Sequence, residues 1–405
     1  TVLREYAKLI AKAGANVQKG QEVFITAELD QPEFVAMVVD ECYKLKAKKV
    51  VVDWSHQPID KLHVRYRSLT TMSKLDNYEQ ARWQHYVDTI PCRIYLISED
   101  PDGLKGVNQE KMAKAQQKKY PIIKGYRDQI ENKYQWCIAA VPGEKWAKKL
   151  FPELRASQAV EKLWEAILST SRALEGDPVA NWDAHNKDMH DRCAYLNGLH
   201  IRELRYKSAN GTDFQVGMIP EAQFCGGCEK SLQGIVFNPN IPTEECFISP
   251  MRGKAEGIVY ATKPLSYQGQ LIDGFWIRFH EGKAVEWHAA QNNDLLTKLI
   301  TMDEGSAYLG ECALVPYDSP ISQSGLLFYN TLFDENAACH LALGMGFADT
   351  IRGFEEKTLE ECRALGVNDS MVHEDFMIGS ADMSIDAVCE DGRTVPIFRN
   401  GSWAF

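Results

Sequence analysis

Long apolar runs are what this 405-residue sequence most plainly lacks. No stretch approaches the roughly 18 uninterrupted apolar residues that a membrane-crossing helix needs, so no membrane partner is expected. A basic excess is missing too: 45 Lys and Arg stand against 56 Asp and Glu, a net charge of −11. Phosphate backbones demand a basic patch, so nucleic acid is not an expected partner; neutral or cationic substrates suit the charge better. The 11 cysteines are scattered and odd in number, which speaks against a disulfide scaffold and for a reduced, cytoplasmic chain. The opening TVLREYAKLIAKAG carries charges throughout and reads as an amphipathic helix, not a leader peptide. No internal repeat or low-complexity tract stands out.

What is present is ordinary globular composition, 45% hydrophobic and 25% charged, enough for a sizeable core and more than one domain. Residues 22–27 (EVFITA) read as a strand, residues 32–47 carry a helical stripe of Phe34, Val35, Val38, Val39, Cys42 and Tyr43, and 49–54 form a second buried-looking strand. That is a βαβ unit and predicts a parallel sheet. Residues 93–98 and 135–141 extend it as strands, with a polar helical stretch near 107–119 between them. No Gly-rich phosphate loop follows these strands, so a nucleotide site gains no support. Residues 153–175 look helical, and EGDPVANWD (175–183) is the best linker. Beyond it, Asn210-Gly211 reads as a two-residue hairpin, and Asp273-Gly274 and Glu281-Gly282-Lys283 punctuate an antiparallel meander. The expected architecture is an α/β N-terminal domain with a parallel sheet, residues 1–180, and a strand-rich α+β C-terminal metal-binding catalytic domain, residues 181–405.

Chemistry concentrates in the second half. In VHEDFMIGS, His373 and Asp375 are two residues apart, so on a strand they point to the same face while Glu374 points to the other. A pair like this alone is more often a surface or salt-bridged feature than a ligand set. LFDENAACHLALGMGF (332–347) reads as a helix with Asp334 as N-cap and Glu335 at its start. On that reading His340 and Phe347 share a helix face, roughly 10 Å apart. Glu245, in NIPTEECFISP, and Glu311, in YLGECALVP, lie in apolar surroundings. A buried carboxylate costs several kcal/mol unless paired or coordinated. Carboxylates gathered with imidazoles suit a pair of divalent ions.

NIPTEECFISP, LGECALVP, LFDENAACHLALG and VHEDFMIGS, in this order, resemble the aminopeptidase S and aminopeptidase T family of dinuclear metallo-exopeptidases. The opening REYAKLIAKAGANVQKGQEVFI resembles that family's start. The resemblance implies that Glu245 bridges two metals and that Glu311, His340, His373 and Asp375 complete the sites. It implies Glu335 as catalytic acid/base, activating water for attack on short peptide substrates. Zinc, cobalt, manganese or magnesium all suit these ligands, and the family forms homodimers. One position departs: Phe347 stands where the family has a Tyr, and phenylalanine cannot donate a hydrogen bond to a developing oxyanion.

Two rivals remain open. His340, His373 and one carboxylate could form the facial triad of a mononuclear Fe(II) ring-cleaving oxygenase. A catalytically weak, metal-containing peptide-binding homologue is the other. Cys225-Gly-Gly-Cys228 has no second CxxC at zinc-knuckle spacing and follows no βαβ pattern, so it reads as a Gly-rich turn. Cys246 and Cys312 read as packing residues, and the basic run 111–119 as a solvated helix face.

Overall fold

The computed structural model describes residues 1–405. The chain divides into two compact units: residues 1–187 with 227–243 and 268–270, and residues 188–226 with 244–267 and 271–405.

The first unit is built on the expected parallel sheet. Strands Glu22–Glu28 (β1), Lys49–Ser55 (β2), Cys92–Ile97 (β3) and Trp136–Ala140 (β4) run in the order β2-β1-β3-β4. The short strand Asn240–Ile241 joins the far side of β4, also parallel. In β1, Val23, Ile25 and Ala27 are buried on one face and Phe24 on the other, which is why its sequence shows no alternation. Helix Pro32–Lys44 begins with proline, where a missing N–H costs nothing, and buries Phe34, Val35, Val38 and Cys42. Each such aliphatic side chain removed from water contributes about 1.5–3 kcal/mol. The polar helix spans Gln109–Ile130, well beyond the stretch expected. EGDPVANWD does not form a linker: Pro178 opens the helix Pro178–Gly198.

The second unit contains a nine-stranded sheet and a separate four-stranded one. Strands Ile201–Lys207 and Asp213–Met218 pair antiparallel around Asn210-Gly211. Their last pair is Lys207 with Asp213, so the connection is 208–212 and not a two-residue turn. Glu281-Gly282 does make a two-residue turn, between paired His280 and Lys283, whereas Asp273-Gly274 lies inside the strand Gln270–His280. No helix of the chain is long and apolar enough to cross a membrane.

The four-stranded antiparallel sheet runs Cys246–Ile248, Leu309–Leu314, His340–Gly344, His373–Met377. Every residue of the two middle strands is buried. This corrects the helix expected over 332–347. A short helix, Thr331–Asp334, is followed by a single 3-10 turn, Glu335–Ala337, and then by the His340 strand. Leu and Ala made the segment look helical, but a strand buried on both faces has no period of two to read. Asn330, not Asp334, caps the short helix by accepting from the Leu332 N–H.

Candidate metal centre

Register in this sheet brings the expected ligands together. Ala342 is paired with Glu311 on one side and Asp375 on the other. His340 is paired with Ala313, and His373 with Gly344. Directly paired residues share a face, as do residues two apart on one strand. Glu311, His340, His373 and Asp375 therefore project from a single face, interleaved with Ala313, Ala342 and Gly344. The small side chains leave room above the sheet. At Gly344 nothing larger fits: φ is +100°, and a Cβ there would lie 2.0 Å from the Val372 carbonyl oxygen.

Glu245 arrives from the residue preceding the first strand of the sheet. Its neighbour Glu244 is held by its N–H, which donates to Asn336 Oδ1 at 2.6 Å, while Asn336 Nδ2 donates to Leu332 O at 2.8 Å. Asn336 is fully buried and ties the Glu245 segment to the loop that carries Glu335. The sequence offered no sign of this, because an Asn next to a candidate Glu has no pattern of its own. The Asp334 carboxylate accepts from the Phe328 and Asn330 N–H groups and pins the same loop. Glu335 sits at the C-terminal end of the short helix, not over the N-terminus of a longer one.

Three groupings result, each with one ligand atom per residue within 4.8 Å of the others: Glu245, Glu311 and His340; Glu311, His373 and Asp375; Glu335, His340 and Asp375. His340 Nε2 lies 2.9 Å from Glu245 Oε2, and His373 Nε2 lies 3.2 Å from Glu311 Oε2 and 3.4 Å from Asp375 Oδ1. The other ring nitrogens face backbone carbonyls: His340 Nδ1 to Ala338 O at 3.1 Å and His373 Nδ1 to Met345 O at 2.7 Å. With Nδ1–H donating to a carbonyl, each Nε2 is turned toward the carboxylates, the orientation that metal-binding histidines use.

This arrangement fits cations. Glu245 Oε2, His340 Nε2 and Asp375 Oδ1 are buried and make no hydrogen bond despite their closeness. An imidazole nitrogen and a carboxylate oxygen 2.9 Å apart need a shared proton or a metal cation between them. The side-chain chemistry points the same way. Burial, then Glu245 and Asp375, push the Glu311 carboxyl up to about 8. Burial and the negative charges of Asp375, Glu245 and Glu311 raise Glu335 well above the usual carboxylate range. Burial alone would lower His340, but Glu245, Asp375 and Glu311 push it up to about 10. Burial opposes ionisation of Asp375 as well, yet His373 holds its carboxyl below the usual range. The chemistry is uniformly that of a surplus of negative charge seeking cations.

Phe347 reaches the site by a different route from the one expected. It follows the His340 strand, and its N–H donates to Ser249 Oγ at 2.8 Å. Its ring packs against the His373 imidazole, centroids 4.7 Å apart, and edge-on to Phe247 at 5.6 Å. Cys246 and Cys312 are buried, and no cysteine joins the groupings. Glu374 points away from the ligand face, and burial together with Asp375 pushes it up to about 8.

Comparison with known proteins gives a consistent picture. The family described as thermophilic metalloprotease (M29) matches residues 1–403. Aminopeptidase AmpS of Bacillus subtilis (strain 168) is 39% identical over 404 residues, which is 100% of this chain and 98% of that protein. The structure of wild-type AmpT from Thermus thermophilus superposes with a TM-score of 0.88 at 35% identity, covering 100% of this chain and 99% of that one. A 2,5-dihydroxypyridine dioxygenase from Pseudomonas putida KT2440 has a TM-score of 0.52 at 11% identity over 99% of this chain and 96% of that one, a likeness of fold alone.

Proposed function

The chain belongs to the thermophilic metalloprotease (M29) family, and from that premise we propose that it is a metal-dependent aminopeptidase releasing N-terminal amino acids from short peptides. Glu245, Glu311, His340, His373 and Asp375 would hold two divalent ions. The observation that carries this is charge. Four carboxylates, Glu245, Glu311, Glu335 and Asp375, converge with two imidazoles in a buried site. Two divalent ions balance four carboxylates. With a single Fe(II), as in a mononuclear oxygenase, two of those carboxyls would have to keep their protons instead of serving as ligands or base. Glu311 and Asp375 each belong to a His340 grouping and to the His373 grouping, so Glu311 would compete for the shared position with Glu245, to which the family resemblance gives that role. Metal content of E311Q and E245Q separates the two: loss of the shared ligand empties both positions, loss of a terminal one empties one.

Bound divalent ions supply Lewis acidity and make a water acidic enough to act as nucleophile near neutral pH. Glu335 takes the proton from the attacking water and delivers it to the leaving amine. Asp375, hydrogen-bonded to Glu335, holds that proton at a defined place. The expected homodimer belongs to the same proposal, and light scattering tests it.

The test is turnover of leucyl-, arginyl- and tryptophanyl-p-nitroanilide, with their N-acetyl forms, by chelator-stripped protein reloaded with zinc, cobalt, manganese or magnesium. Release that requires both metal and a free amine supports the reading. Glu335→Gln should lower kcat by about 10²–10⁴ while metal content is unchanged. Peptide binding without release would favour the weak, non-catalytic homologue.

A further inference from the structure

Four lysines of helix Gln109–Ile130 differ in their partners. Lys114, Lys119 and Lys124 are paired with Glu110, Glu79 and Asp128 at 2.6, 2.8 and 2.6 Å. Lys111 has no carboxylate; its Nζ donates to Val64 O at 2.7 Å. Helix Gln57–Tyr66 brings two more cations beside it in the same condition. Lys61 Nζ donates to Lys105 O at 2.7 Å, and the Arg65 guanidinium lies over the Tyr66 ring, 5.4 Å from its centroid. An ammonium has three donors, so Lys61 and Lys111 each keep two beyond these bonds.

These three cations line one cavity of about 530 Å³, together with Leu62, Val64 and Val107. No acidic residue lines it. A lone exposed lysine is usually just solvated. Three cations without a counter-charge around an apolar wall depart from the background of a chain in which acids outnumber bases 56 to 45. Asn108, the N-cap of the 22-residue helix, also lines the cavity, so the positive end of that helix adds to the field. The volume lies within the range of small-molecule sites, about 300–1,000 Å³.

We propose that this cavity binds a small anionic amphiphile, one carboxylate or phosphate head on an apolar body. The head meets Lys61, Arg65 and Lys111; the body lies on Leu62, Val64 and Val107. A polyanion would find no use for the apolar wall, and a neutral hydrocarbon would leave the cations without a partner.

Isothermal titration of the full-length protein at low salt tests this with octanoate, octyl phosphate, octylamine, octanol and acetate. One or both octyl anions should bind at least about tenfold more tightly than the other three, and more weakly as salt rises. The ratio between octanoate and octyl phosphate identifies the head group. The K61Q/R65Q/K111Q variant should weaken the octyl anion by about tenfold or more, with an unchanged circular dichroism spectrum. Leu62→Asn, which keeps the cations, adds no charge and breaks the apolar wall, should weaken it as well. The proposal is overturned if neither octyl anion binds, if octylamine binds as tightly as they do, if acetate matches octanoate, or if both variants bind like the wild type.

Discussion

Glu311→Gln separates the electrostatics of the metal centre from its packing. The carboxyl is 3% exposed and stands 3.2 Å from His373 Nε2. Burial, Glu245 and Asp375 push it from 4.5 up to about 8 in the metal-free fold. The sign follows directly. A folded carboxyl that keeps its proton while the unfolded chain releases it loses stability as pH rises from about 4.5 to about 8. Between pH 6 and pH 8.5 this one group should cost the metal-free wild type roughly 2–3 kcal/mol. Glutamine is close in shape to the protonated acid and does not titrate, so the variant avoids that loss. Urea unfolding of both chelator-stripped proteins at the two pH values, followed by circular dichroism, measures the difference of differences. Titrating in divalent ion then adds the other half. At a hundred times Kd, mass action stabilises the wild type by about 2.7 kcal/mol, and that gain should shrink in the variant. Parallel pH dependence of wild type and variant would refute the reasoning, as would a variant several kcal/mol weaker at pH 6.

Other outcomes test neighbouring parts of the structure. Phe347→Tyr puts a hydroxyl on the ring that packs against His373 and should raise kcat on aminoacyl p-nitroanilides, by up to about 10² if the hydroxyl reaches the oxyanion; an unchanged kcat would show that another group already serves there. Gly344→Ala combines a left-handed backbone with a Cβ 2.0 Å from a carbonyl oxygen and should cost more than about 2 kcal/mol in thermal or urea unfolding. Asn336→Ala leaves the Glu244 N–H buried without its acceptor and should cost about 1–3 kcal/mol. In that variant metal affinity should fall along with stability, which separates it from simple cavity formation elsewhere in the core.

The parallel sheet was legible because β-branched runs and one apolar helical stripe have distinct periods, and β1, β2 and β3 appear within a residue or two of their expected bounds. The His373 strand was legible because residues two apart on a strand share a face. The His340 strand was not. It is buried on both faces, and its Leu and Ala residues read equally well as helix. The residues bounding it, Gly344 and Gly346, carried the better signal, since a helix turning toward Phe347 would have to pass through both. Phe347 was placed near the site through a helix that does not exist; it arrives instead through the turn after the strand, on Ser249. Asn336 was invisible, because a buried amide that joins two loops depends on contacts made only in the folded chain. The linker was misjudged because Pro178 serves to start a helix as readily as to end one.

The short strand Asn240–Ile241 has a consequence for the order in which the protein assembles. The parallel sheet cannot close its β4 edge until a segment about a hundred residues downstream has been made. Asn238 reaches back to the Ala13 and Gly14 carbonyls, so the opening helix waits for the same segment. During synthesis, β4 leaves the ribosome long before its neighbour and spends that interval as an open edge, the kind of surface that recruits strands from other chains. Three residues after Thr243 ends the second segment of the first unit, Cys246 begins the sheet that carries the ligands. A nascent chain halted near residue 187 should therefore aggregate through its open β4 edge, and one halted once residue 243 is free should have that edge covered.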